Sequence, residues 1–329
     1  MTRVRRAAFA VLVALAVAAP AAFSLVTAAA QDQPPTFRGG SDIVRVFVTA
    51  TDRDGRLVTD LAREAFEVKD DGKPQPITLF DNTPQPIRLI VLLDVSGSMH
   101  GNLPLLRGAA QQLFARLRPD DLARLGSFGR DIAISPEFTH DPQALDAALP
   151  ASIPEDAPTP LWRAVDKGIT EFGADRSTRC VILVLSDGKD NAPFSFREPM
   201  VSQAEIIERA RDRDVMVYAV GMRSRSARPM MPGLGPGSLQ AMMVADLPDP
   251  GLARVAEETG GGYTEIRYGE DLGAAFAHVA DELHSQYLLG YAPPKRDGKV
   301  HKIQVKVDQK GVEARARKSY VAPKDRSAS

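Results

Sequence analysis

Three short runs, Ile90–Leu93, Val181–Leu185 and Val215–Val220, are apolar at nearly every position. A strand with one wet face alternates apolar and polar residues. A strand that is apolar throughout is dry on both faces, which requires cover above and below. The first run is followed by Leu106, Ala109, Ala110, Leu113, Phe114 and Leu117 at helical spacing. From Ile87 to about Gln286 the order strand, helix, strand, helix then repeats. Such a chain builds a largely parallel sheet with helices on both faces. The expected fold class is therefore α/β, a doubly wound, mostly parallel, Rossmann-like sheet. Arg124–Phe128 and Ile132–Ser135 flank Gly129-Arg130 and are expected to add an antiparallel edge. Further helices are expected over Pro142–Leu149, Leu161–Phe172, Glu205–Arg213, Pro250–Thr259 and Asp271–His284. Asp141 is a candidate N-cap, and Gly260–Gly262 a stop signal.

Outside this region the pattern changes to period two. Val44, Val46 and Val48 alternate with other residues, and Phe66–Lys69 and Ile77–Phe80 flank the turn Asp70-Asp71-Gly72-Lys73. The end of the chain alternates again at Ile303, Val305 and Val307, with Tyr287–Tyr291 before and Val312–Tyr320 after. Neither set can bury its apolar face alone, because a short meander is marginal in water. Both are therefore expected to pack together as one small β-sandwich-like module. That module would also give the last helix a rigid neighbour, through which a metal-linked shift could pass. The expected organisation is 1–30 signal peptide, 31–86 linker and strands, 87–286 α/β domain, 287–322 strands packing with 43–80, and 323–329 disordered tail. Between 223 and 247 the chain is rich in Arg, Ser, Pro, Gly and Met. It reads as a disordered insertion, with a Met-lined partner-binding arm or a Met-rich copper site as alternatives.

The candidate site follows the first apolar run. Ile90–Leu93 ends in Asp94, with Ser96 and Ser98 two and four residues on and Gly97 between them. Ligands of open α/β sheets bind beyond the carboxyl ends of strands. One carboxylate and two hydroxyls in a glycine-containing turn can face one ion, and oxygen donors alone select a hard cation such as Mg²⁺.

Asp-x-Ser-x-Ser after a buried strand resembles the metal-ion-dependent adhesion site of von Willebrand factor type A domains. The resemblance implies two more ligand loops. Thr159, just before the helix at Leu161, matches the threonine loop, although Pro158 and Pro160 bracket it where small flexible residues are usual. Asp187, after the central strand, matches the aspartate loop. The expected metal residues are thus Asp94, Ser96, Ser98, Thr159 and Asp187. Mg²⁺ is the expected ion, with Mn²⁺ or Ca²⁺ as alternatives. Mg²⁺ keeps water or exchangeable positions. The resemblance implies that an Asp or Glu carboxylate of a protein partner replaces one water, as in adhesion-type binding. Lys189, Asp190 and Asn191 are read as a rim that tunes partner choice, or as a solvated loop. The flanks (Phe37-Arg38-Gly39-Gly40 through Gln75-Pro76-Ile77, Gln286–Tyr291 and Val312–Tyr320) resemble exported type A-related proteins of Acidobacteria-type bacteria.

Export is also expected from the first residues. Arg3, Arg5 and Arg6 precede the apolar stretch Ala7–Ala19, and Ala28 and Ala30 offer a cleavage site before Gln31. The destination is secreted or periplasmic, with an uncleaved signal-anchor as the alternative, and no later span is expected. A single cysteine, Cys180, allows no intrachain disulfide and reads as a buried core residue. A formal net charge of −1 gives no bulk attraction to nucleic acid or an anionic membrane.

Two other function classes compete. A metal-dependent hydrolase would use His100 beside the serines, but no G-x-S-x-G elbow and no base–orienter pair can be placed. His140, His278, His284 and His301 have no partner legible in the sequence. A component of a cell-envelope assembly working with an ATPase would have to borrow its nucleotide site, because no G-x-x-x-x-G-K-[ST] loop is present. The reading is therefore a non-enzymatic, metal-dependent protein-binding module.

Overall fold

The computed structural model of the chain describes residues 43–175, 178–191, 200–223, 247–267 and 270–324. The expected signal peptide, most of the 223–247 insertion and the last five residues lie outside these. Val44–Asp52 is β1, Phe66–Asp70 β2, Lys73–Gln75 β3, Leu79–Asp81 β4 and Ile87–Asp94 β5. Then come α1 (Leu103–Phe114), β6 (Leu122–Phe128), β7 (Ile132–Ile134), α2 (Pro142–Ala147), α3 (Leu161–Glu171) and β8 (Arg179–Ser186). The next elements are α4 (Gln203–Arg213), β9 (Val215–Met222), α5 (Pro250–Thr259), β10 (Tyr263–Ile266) and α6 (Leu272–His284). The end is β11 (Tyr287–Tyr291), β12 (Val300–Val307), β13 (Val312–Arg315) and β14 (Ser319–Val321).

The central sheet has six strands in the order β10-β9-β8-β5-β6-β7. Neighbours pair in parallel except β6 with β7, the expected antiparallel edge. Alternation along each central strand feeds two separate cores. Leu89, Val91 and Leu93 of β5 pack with α1 and α6, while Ile90 and Leu92 pack with α3, α4 and α5. β8 divides in the same way, with Cys180, Ile182 and Val184 on the second face. Cys180 is thus a small core residue, as the apolar run suggests. The chain leaves β5 toward β6 on one side and returns to β8 on the other. That reversal opens a crevice at the carboxyl ends of β5 and β8.

The flanks form two four-stranded sheets, β13-β1-β11-β4 and β14-β12-β2-β3. Each mixes strands from both ends of the chain. Val46, Val48, Phe66, Val68, Tyr287, Leu289, Tyr291 and Ile303 share one core between them, which is the expected β-sandwich-like module. One local pairing differs from expectation. Phe66–Asp70 pairs with Lys73–Gln75, not with Ile77–Phe80. Leu79–Asp81 instead crosses to the other sheet beside β11. Proline explains the break: Pro74 is tolerated because β3 is an edge strand, and Pro76 cannot continue the ladder. No described helix is long and apolar enough to cross a membrane.

Candidate metal centre

β5 runs buried up to Asp94, whose side chain is sealed from solvent. Its Oδ1 accepts from the Ser96 amide at 2.9 Å, and its Oδ2 accepts from the Ser186 hydroxyl at 2.5 Å. Ser96 Oγ lies 3.1 Å from Ser98 Oγ, and Ser98 Oγ donates to Asp187 Oδ1 at 2.7 Å. The loop after β5 and the loop after β8 therefore meet through a chain of oxygens. Gly97 allows the approach. Its amide donates to Ala157 O at 2.9 Å, and a Cβ there would sit 1.9 Å from the Glu155 carbonyl oxygen.

The third loop precedes α3. Thr159 is buried, and its Oγ1 lies 3.3 Å from where a Cβ on Gly188 would be, one residue past Asp187. Asn191 holds it from both sides. Thr159 N donates to Asn191 Oδ1 at 2.5 Å, and Asn191 N donates to Thr159 O at 3.0 Å. Asp190 accepts from Trp162 N at 3.2 Å, and its own amide donates to Asp249 Oδ2 at 3.3 Å. The structure thus places Asp94, Ser96, Ser98, Thr159 and Asp187 on three adjoining loops at the crevice. Asp190 is half-buried and Asn191 exposed, and besides lying at the rim their side chains hold the threonine loop through its amides. Ser186 is a site residue that sequence reasoning missed. Its signal was slight: a serine at a strand end, next to Asp187.

The electrostatics call for a cation. Burial, reinforced by the charge of Asp187, pushes the Asp94 carboxyl up to about 7. Burial also raises Asp187. Asp187 Oδ2 is buried and accepts no hydrogen bond. A buried polar atom without a partner is costly. Two carboxylates and three hydroxyls are the donor set of a hard divalent ion, so the residues present fit one. His100 takes no part in this chain of oxygens. Its Nδ1 lies 3.0 Å from Ile153 O, and its Nε2 3.6 Å from Glu155 Oε1. Two of the four histidines without a partner legible in the sequence have one: His284 faces Asp121, and His301 faces Asp70 and Asp297.

Comparison with known proteins adds the following. No curated protein matches the chain significantly. An aerotolerance-related membrane protein from Bacteroides fragilis is 13% identical over 60% of this chain and 98% of its own, with a TM-score of 0.44. A von Willebrand factor type A structure from Catenulispora acidiphila is 12% identical over 88% and 76% of the two chains, TM-score 0.46. Proximal thread matrix protein 1 of the mussel byssus, with a zinc-occupied MIDAS motif, is 15% identical over 66% of this chain and 50% of its own, TM-score 0.45. Residues 89–189, which contain all five expected metal residues, match the family model of the von Willebrand factor type A domain.

Proposed function

We propose that the α/β domain is a non-enzymatic, metal-dependent protein-binding module. Asp94, Ser96, Ser98, Thr159 and Asp187 would hold Mg²⁺, and an Asp or Glu of a protein partner would complete its shell. The observation that carries this reading is the oxygen chain Ser96–Ser98–Asp187 joining two loops beside a buried carboxylate oxygen without a partner, with Thr159 on the neighbouring loop against Gly188. When bound, the ion supplies a positive site for an anionic ligand. The chain's own residues do the positioning. Ser186 orients Asp94, the Ser98 hydroxyl orients Asp187, and Asn191 fixes the Thr159 backbone. The type A family match supports an interaction module in general terms. The N-terminal pattern Arg3 to Ala30, and flanks resembling exported bacterial type A-related proteins, support action outside the cytoplasm in an adhesion-type role.

The test has two steps. Calorimetry on the full chain is expected to show one Mg²⁺ site that Asp187→Ala abolishes. Immobilised protein is then expected to retain envelope proteins in Mg²⁺ and release them in chelator, with release also produced by free glutamate-containing peptides. Unchanged Mg²⁺ binding in Asp187→Ala would remove the site, and retention indifferent to chelator would remove the mechanism. Fractionation of the producing cells checks the location.

A further inference from the structure

A second constellation lies in the β module, on strands that carry none of the five proposed Mg²⁺ residues. His301 and Asp70 are buried, while Asp71 has a side chain 48% exposed. His301 Nδ1 stands 2.9 Å from Asp70 Oδ1 and 3.3 Å from Asp71 Oδ2. One donor atom from each residue falls within 4.8 Å of the others. A tetrahedral ion with bonds of about 2.1 Å spaces its ligands about 3.4 Å apart. The imidazole nitrogen stands at that spacing from Asp71 and about 0.5 Å inside it from Asp70, so a small outward shift of the Asp70 carboxylate admits the ion.

The backbone creates this arrangement. β2 ends at Asp70, and the turn that follows holds Asp71 at φ 46° and Gly72 at φ 80°. Asp71 N donates to Lys302 O at 2.9 Å, and Lys302 N donates to Asp71 Oδ1 at 3.0 Å, which aligns the turn with the start of β12. Every atom that would not face an ion is held from outside the trio. His301 Nε2 lies 3.1 Å from Asp297 Oδ1. Asp70 Oδ2 accepts from Tyr291 OH at 2.9 Å and from Tyr320 OH at 2.7 Å. A carboxylate behind the distal ring nitrogen and hydrogen bonds behind the ligating carboxylate are what orient metal ligands. Charge agrees as well. Three carboxylates, Asp70, Asp71 and Asp297, face a single imidazole, so even its protonated form leaves the cluster negative.

We propose that Asp70, Asp71 and His301 form a second divalent-metal site that clasps the two flanks of the chain. An imidazole donor with two carboxylates selects Zn²⁺ or a similar first-row ion over Mg²⁺. Binding takes the proton from Nδ1 to solvent and puts the ion in its place. The ligands come from β2 and β12, so the ion cross-links segments about 230 residues apart in sequence. A chain with one cysteine has no disulfide to do this. This site does not depend on the reading of the first.

The test uses full chain carrying Asp187→Ala, stripped with chelator and titrated with Zn²⁺ in excess Mg²⁺. One Zn²⁺ per chain is expected, with a higher melting temperature, and Co²⁺ in its place is expected to show the visible bands of a tetrahedral nitrogen–oxygen site. Asp71→Ala removes a ligand at the surface and leaves the buried Asp70–His301–Asp297 contacts in place, so the metal-free protein should fold. Its Zn²⁺ affinity is expected to fall at least about tenfold, and that of Asp297→Asn about 10–100-fold. Absence of Zn²⁺ binding by folded protein, or equal affinity in Asp71→Ala and the parent, overturns the proposal. Wild-type chain saturated with Mg²⁺ gives the same reading should Asp187→Ala fold poorly.

Discussion

Asp94 is held in a buried setting where, among the described residues, no cation is among the groups that set its charge state. Its carboxyl is raised from 3.8 to about 7, first by burial and then by Asp187. The unfolded chain releases that proton near pH 4, whereas the folded chain keeps it to about 7. Without metal, stability is therefore expected to fall as pH rises through that window. At about 1.4 kcal/mol per unit, the loss is on the order of 4 kcal/mol. Urea unfolding in chelator from pH 4 to 8 checks this, and Asp94→Asn is expected to flatten the slope. Mg²⁺ should do the same by supplying the missing charge. Ser186→Ala removes the hydrogen bond to Asp94 Oδ2. It is expected to weaken Mg²⁺ by about 10–100-fold with little change in fold, and calorimetry would show it. Asp94, Ser96 and Ser98 stand out in the sequence because they follow a strong strand signal, whereas Thr159 and Asp187 are pointed to by the type A resemblance. Ser186 could not be read in either way, because a serine at a strand end does not declare which way it turns.

Loops and elements show where sequence reading ends. The two-core sheet is legible because apolar runs without alternation leave no other arrangement. The clamp between the loops is not, because Asp190 and Asn191 look like solvated polar residues until Thr159 lies against them. Asn191→Ala strands the Thr159 amide and is expected to cost about 1–3 kcal/mol, with weaker Mg²⁺ binding, by denaturation and titration. The partner of β4 is likewise set by tertiary contact, since Ile77–Phe80 has the period of a hairpin strand yet pairs with β11. α6 is tied to the β module through Glu282. Its Oε1 accepts from Thr49 Oγ1 at 2.9 Å, and also from Tyr218 OH and Arg315. Glu282 is 5% exposed, so Glu282→Ala leaves Arg315 without its buried anion. A loss of about 3–5 kcal/mol is expected from such a deletion.

At the scale of the whole molecule, the two ends of the chain depend on each other. Val44 pairs with Tyr291, and Phe66 with Val307, so the β module is closed by strands more than 200 residues apart. Closing so long a loop costs entropy before any contact rewards it. The six-stranded sheet has no such debt to the ends, since all of its pairings fall between Ile87 and Ile266. Truncation after Gln286 separates these cases. It removes β11 and β13, both neighbours of β1, and β12, the inner neighbour of β2. What remains is the short hairpin β2–β3, which is marginal in water. Val44, Val46, Val48, Phe66 and Val68 then lose the core they share with Tyr287, Leu289 and Ile303. Amides of Val44–Asp52 are expected to exchange freely in the truncated chain, and proteases to cut between β1 and β4. Amides of β5, β8 and β9 are expected to stay protected, because their partners are untouched. Protection of β1 equal to that in the full chain would show that the N-terminal strands hold themselves together and that the flanks are two units, not one.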